Sequence, residues 1–197
     1  MVLLFLPFSI VAFSMAGWIA SFLPSEDPIL VSYLLWSLLC LVPLGLGSMR
    51  GRWLELNPDK VRKERQTVGW ATFVVALAVA IFIFRGWTAI YNDVRYPLVF
   101  IFLIPVVEEI IFRGWVFEIV DRIWSHIHKL LPIFVSSALF GLHHLQYYDF
   151  HLGKFAVFQV AYTTLLGLVF GHLRWKTGSI YVGLILHVVM NVAVYLL

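Results

Sequence analysis

Apolar residues run in long continuous blocks along this chain, broken by short polar stretches. Blocks of mainly apolar residues lie at about 1–23, 29–48, 67–84, 97–117, 131–147, 155–173 and 178–197. A helix crossing a bilayer needs about 20 such residues. The blocks do not alternate with period two, as the strands of a membrane β-barrel would. The pattern predicts an all-α, polytopic transmembrane bundle of about seven spans. All of 1–197 forms one transmembrane domain, with no internal repeat and no room for a soluble domain. The opening block has no Lys or Arg before it, so it lacks the n-region of a signal peptide and reads as a retained helix.

One segment has a different period. In EIVDRIWSHIHKLL, residues 118–131, apolar residues fall at 119, 120, 123, 124, 127, 130 and 131. That spacing predicts an amphipathic helix on the membrane surface, with Trp124 at the headgroups and His126 and His128 on the solvated side.

Composition sharpens the picture. The 197 residues are 61% hydrophobic and 13% charged, with a mean hydropathy of +0.91. Soluble domains carry about 25% charged residues, so lipid must cover what this chain cannot bury. The net charge of +3 is not a nucleic-acid signal, because the basic residues gather in alternate connections. Arg50, Arg52, Lys60, Arg62, Lys63, Arg65, Arg113, Arg122, Lys129, Arg174 and Lys176 fall on one side, and Arg85, Arg95 and Lys154 on the other. Lys and Arg favour the cytoplasmic side. The bias puts the N-terminus in the cytoplasm and, with seven spans, the C-terminus outside. The short loops suit a prokaryotic plasma membrane. The lone Cys40 can make no internal disulfide and no zinc knuckle.

Against this apolar background, VVEEIIFRG at 106–114 stands out. An ionisable group at the bilayer centre costs several kcal/mol on insertion scales. Glu109 and Arg113 are i and i+4 on a helix and can pair, but that leaves Glu108 unexplained. Further polar residues lie at comparable depth: His143 and His144 in LFGLHHLQ, and His187 and Asn191 in LHVVMNVA. From the span ends, a rise of about 1.5 Å per residue puts Glu108 roughly 16 Å deep, His187 roughly 14 Å and His144 roughly 18 Å. Residues from three helices can therefore meet in one layer. A carboxylate near an imidazole can hold a water and take its proton. A second histidine and an amide can donate to a developing oxyanion. No Ser or Cys nucleophile sits in these motifs. Ser136 and Ser137 read as small residues for close helix packing.

EEIIFRG, FGLHH and HVVMN together resemble the CAAX protease and bacteriocin-processing family, also called the Abi family, which includes the type II CAAX prenyl endopeptidases. Its pattern is EExxxR, then FxxxH, then HxxxN or HxxxD. Glu108, Glu109 and Arg113 match the first, Phe140 and His144 the second, and His187 and Asn191 the third. The resemblance covers about 97–197, which would be the catalytic core. It implies an intramembrane glutamate endopeptidase. Glu108 would activate water with help from His144, His187 and Asn191 would form the oxyanion site, and Glu109, Arg113 and Phe140 would support them. It implies no cofactor. Glu, His and His could supply three zinc ligands, but HExxH is absent and the resemblance favours metal-free hydrolysis. His143 faces away from His144 by about 100°, toward a neighbouring helix or a substrate. The expected partners are membrane lipid and a hydrophobic or lipidated peptide. Two other readings use the same residues. One is a non-catalytic scaffold or bacteriocin-immunity protein of this fold. The other is a proton-coupled transporter, which would need a polar path that the first two spans do not offer.

Overall fold

The computed structural model describes residues 15, 16, 19, 27–45, 52–84, 96–124, 126–148 and 150–196. The first expected span lies outside these except for residues 15, 16 and 19, as do Arg50, Arg85 and Arg95. Every regular element among the described residues is helical. Helix α1 is Pro28–Gly45, α2 is Pro58–Lys63 and α3 is Arg65–Phe84. A continuous helical run over 97–124 follows. In it a π-helical turn, Val99–Leu103, leads into α4, Ile104–Glu109, and a second π turn, Ile110–Val116, leads into α5, Phe117–Trp124. Helix α6 is Leu131–His143, extended by a 3-10 turn, His144–Tyr148. Helices α7, Lys154–Thr177, and α8, Tyr181–Leu196, complete the order.

These helices coincide with the second to seventh apolar blocks. Among the described residues, one helix, Lys154–Thr177, is long and apolar enough to cross a membrane, and Leu30–Leu39, Arg65–Ile81 and Tyr181–Leu196 are shorter apolar stretches.

The amphipathic segment is shorter than expected. Helix α5 stops at Trp124, and turns occupy 126, 127, 129 and 130. Pro132 keeps the two helices from running on as one. Inside a continuing helix it would lack its N–H and clash with the carbonyl four residues back. Here it sits in the first turn of α6, where no donor is needed. His128 Nδ1 accepts from Leu130 N at 3.2 Å across the turn. Nor is α5 a separate surface element, because it continues the run that carries the carboxylates. His126 and His128 are exposed, as expected.

The distribution of polarity is inverted relative to a soluble protein. Trp70, Phe73, Val74, Leu77 and Ile81 form an exposed stripe on α3, and Ile185, Val189 and Leu196 do so on α8. Glu108, Glu109, Arg113, His143, His187 and Arg174 are buried. Apolar outside with ions inside suits a lipid surround.

Helices α6 and α7 pack most extensively. A Cβ on Gly167 would lie 3.0 Å from Ser137 Cβ, and one on Gly171 would lie 3.1 Å from Ile133 Cγ2. Small residues thus let the backbones approach. Ser136 and Ser137 turn their hydroxyls back onto Ile133 O, at 3.3 and 2.6 Å, which satisfies them within their own helix. This agrees with reading the two serines as packing residues.

Two apolar clusters flank the bundle centre. One joins Trp36, Trp53, Val107, Phe112, Trp115 and Phe140 with their neighbours. The other joins Ala71 and Val75 of α3 to Leu166, Phe170 and Leu173 of α7 and Met190 of α8.

Candidate active site

The seam between these clusters holds the charged layer. Arg113, fully buried, lies 4.1 Å from the centroid of the Phe140 ring on one side and 5.5 Å from that of Phe170 on the other. A guanidinium is drawn to the negative face of an aromatic ring, most strongly where water is excluded. Its NH1 is 3.4 Å from Glu109 Oε1, with both side chains at 0% exposure. The i, i+4 pair expected from the sequence is present, and Arg113 is a helix residue rather than a loop cation.

His187 sits between the two carboxylates. Its Nδ1 lies 3.2 Å from Glu109 Oε1, and its Nε2 lies 3.7 Å from Glu108 Oε2. The first is a hydrogen bond and the second is beyond direct hydrogen-bonding reach. Phe170 stacks on the imidazole, centroids 5.3 Å apart. On α8, Gly183 provides the space beside the pair: a Cβ there would meet Glu109 Oε2 at 3.4 Å.

His144 approaches from the end of α6. Its Nδ1 lies 2.9 Å from Phe140 O. A carbonyl can only accept, so Nδ1 carries the proton and Nε2 the lone pair. The Phe140 ring meets His144 edge-on at 4.9 Å and His187 at 5.9 Å. One aromatic ring thereby spaces both imidazoles and covers the guanidinium. Glu108, Glu109, Arg113, Phe140, His144 and His187 are brought together in this way.

Asn191 commits one amide proton outside this cluster. Its Nδ2 donates to Phe100 O at 2.9 Å. The reason lies in α4 and its preceding turn. In the wide turn Ile104 N bonds Val99 O, five residues back. The next donor in that register would be residue 105, which is proline and has no N–H. Phe100 O is left for a side chain to satisfy, and Asn191 reaches it. The second π turn offers a parallel. Arg174 Nε of α7 donates to Arg113 O at 3.2 Å, and its NH2 lies 3.4 Å from Glu118 Oε2. Turns of this kind recur at functional sites.

His143 turns away from the layer, as the 100° offset required. It stacks on Trp36 of α1 at 6.0 Å, contacts Phe112 at 5.4 Å and bonds Gln146 Nε2 through Nε2 at 2.9 Å. It packs against a neighbouring helix. Among the described residues no group of three or more His, Cys, Asp or Glu is placed to hold a metal ion.

Two residues of the layer escaped the sequence reading. Phe170 looked like one more apolar residue of a span. Arg174 was counted as a flanking cation, yet it is 9% exposed and bonded to the helical run that carries the two carboxylates. A basic residue followed closely by Gly178 at a helix end carries no signal of which way it folds.

Residues 90–193 match the family of Rce1-like type II CAAX prenyl endopeptidases. The chain belongs to this family. Its members are membrane-integral proteases that act on prenylated CAAX proteins. The match covers the three motifs from Glu108 to Asn191 and the helices that carry them. No curated protein and no solved structure matches the chain.

Proposed function

We propose that this Rce1-like chain is an intramembrane endopeptidase that hydrolyses peptide bonds with a glutamate-activated water. The observation that carries the reading is His187 set between two buried carboxylates: Glu109, paired with Arg113, and Glu108, which has no Lys or Arg within ion-pair distance among the described residues. Glu109 is committed to Arg113 and His187. Glu108 is the carboxylate left to act as a base.

In this mechanism Glu108 takes a proton from water while the His144 Nε2 lone pair orients it. The resulting hydroxide adds to the scissile carbonyl. The tetrahedral oxyanion is met by the Nε2–H of His187, which acts as an imidazolium with its Nδ1–H held by Glu109, and by the second amide proton of Asn191. Glu108 then returns its proton to the leaving amine, which breaks the C–N bond. Phe140 and Phe170 keep bulk water out. The substrate is a peptide with a lipidated or hydrophobic C-terminus, reached from the membrane. Seven spans, a cytoplasmic N-terminus and an outside C-terminus complete the proposal, supported by the apolar outer faces and the charge bias.

The test is Glu108→Gln in purified full-length protein, beside wild type, with prenylated and unprenylated hydrophobic peptides. The swap preserves volume and removes the base. Cleavage by wild type with a loss of at least 10²-fold in the variant is expected, since general-base catalysis is worth about 10²–10⁴-fold. Undiminished cleavage by the variant would remove Glu108 from its role.

A further inference from the structure

The segment between α1 and α3 carries charges that the active site does not use. Arg62, Lys63 and Arg65 converge with Asp59 on an open cleft of about 540 Å³. All three cations are exposed, and none forms an ion pair with any described residue. The acid nearest to them in sequence, Glu64, is occupied: Thr67 Oγ1 donates to it at 3.0 Å and Lys176 Nζ lies 3.9 Å away. Asp59 alone opposes three positive charges in the cleft.

The backbone beneath the cleft is held in place. Asn57 caps α2 by accepting from Lys60 N at 3.0 Å, and Pro58 starts it. Trp53, at 0% exposure, wedges against Gly114, where a Cβ would come within 2.7 Å of its ring. Its carbonyl accepts Ile180 N at 3.1 Å. The cations therefore stand on a fixed base rather than on a free loop. Beyond them the chain turns apolar: α3 begins at Arg65 and exposes Trp70, Phe73, Val74, Leu77 and Ile81 along its length. Trp70, 70% exposed, lies about 7.5 Å further along α3 than Arg65, and tryptophan near the end of a membrane helix marks the headgroup zone.

We propose that this cleft is a binding site for the phosphodiester headgroup of an anionic phospholipid. Arg62, Lys63 and Arg65 contact the phosphate, and the acyl chains follow the exposed apolar side of α3. The excess of two positive charges over Asp59 is more than enough for a diester of one negative charge, and the position of the cations at the start of an apolar helix distinguishes a lipid from a soluble anion. The site is separate from Glu108, so it stands or falls apart from the protease reading.

The experiment is native mass spectrometry of the full chain in nonionic detergent, titrated with phosphatidylglycerol or phosphatidylcholine of equal chain length. Binding of phosphatidylglycerol at least tenfold tighter than phosphatidylcholine is expected. In the triple variant Arg62→Gln, Lys63→Gln, Arg65→Gln that preference should be lost, with each single variant lowering it by up to about fivefold. Lys129→Gln, an exposed charge elsewhere, should keep it, and so should Glu108→Gln. Equal binding of the two lipids, or a preference that survives the triple variant, would overturn the proposal. So would displacement of phosphatidylglycerol by inorganic phosphate at matched ionic strength, which would mark a soluble-phosphate site. The single variants, each checked for wild-type circular dichroism, keep the test open if the triple variant misfolds.

Discussion

Arg113 shows how much one residue can carry. A guanidinium at zero exposure is tolerable only with its charge answered, here by Glu109 and by two aromatic faces. Removing one partner of a buried pair leaves the other uncompensated and costs about 3–5 kcal/mol. Glu109→Gln and Arg113→Met should each destabilise the protein by about that amount. The double variant should cost less than the two together, because no lone charge remains. Thermal unfolding in detergent, followed by circular dichroism, checks the cycle. Arg174 acts one step further out, as a positioning residue that holds the carbonyl of Arg113. Arg174→Gln is expected to lower kcat about tenfold with little change in KM, roughly the 1.4 kcal/mol of one charged hydrogen bond. Arg174→Lys, with a donor in a different place, should recover part of it. An effect on KM alone would count against the role. At this scale the sequence was legible where spacing forces contact. Glu109 and Arg113 had to meet on any helix. Phe170 and Arg174 meet the layer only because another helix lies against them.

At the scale of elements, the two π turns matter most. Each has one backbone carbonyl that accepts from a side chain of a distant helix: Phe100 O from Asn191, and Arg113 O from Arg174. Pro105 helps to open the first by withholding its N–H. Pro105→Ala would restore that donor and let the run relax toward a regular α-helix, with the carbonyl satisfied internally. Asn191→Ala should then cost about 1–3 kcal/mol in the wild-type background, the price of a buried acceptor left unpaired. In the Pro105→Ala background it should cost measurably less. Additive costs in a double-mutant cycle would separate the two residues. The end of α5 teaches the same lesson in reverse. The period of 118–131 was helical throughout, but Pro132 ended one helix and began the next. A periodic pattern reports which face is apolar, and the proline decides where the hydrogen-bond ladder stops.

For the whole molecule, the question is how far the folding unit around the three motifs extends. The family match and all three motifs lie in the second half, yet the packing does not stop there. Trp36 of α1 stacks on His143, Trp53 fills the space over Gly114, and Ala71 and Val75 of α3 lie against Phe170, Leu173 and Met190. A fragment of residues 97–197 should therefore fail to give a monodisperse species in detergent, with the full chain as control. A stable, monodisperse fragment would show that the second half folds alone.

The sequence by itself determined the all-helical class, the apolar exterior and the family motifs that place charge in an apolar span. Each follows from rules local to the chain: block length against bilayer thickness, the cost of charge in hydrocarbon, and motif spacing. The tertiary structure alone decided that His187 lies between Glu108 and Glu109, that His143 leaves the site for Trp36, and that Asn191 and Arg174 hold opened carbonyls. These contacts join residues far apart in the chain, 91 positions in the case of Phe100 and Asn191. No local pattern encodes such distances, because they are set by which helix faces pack together.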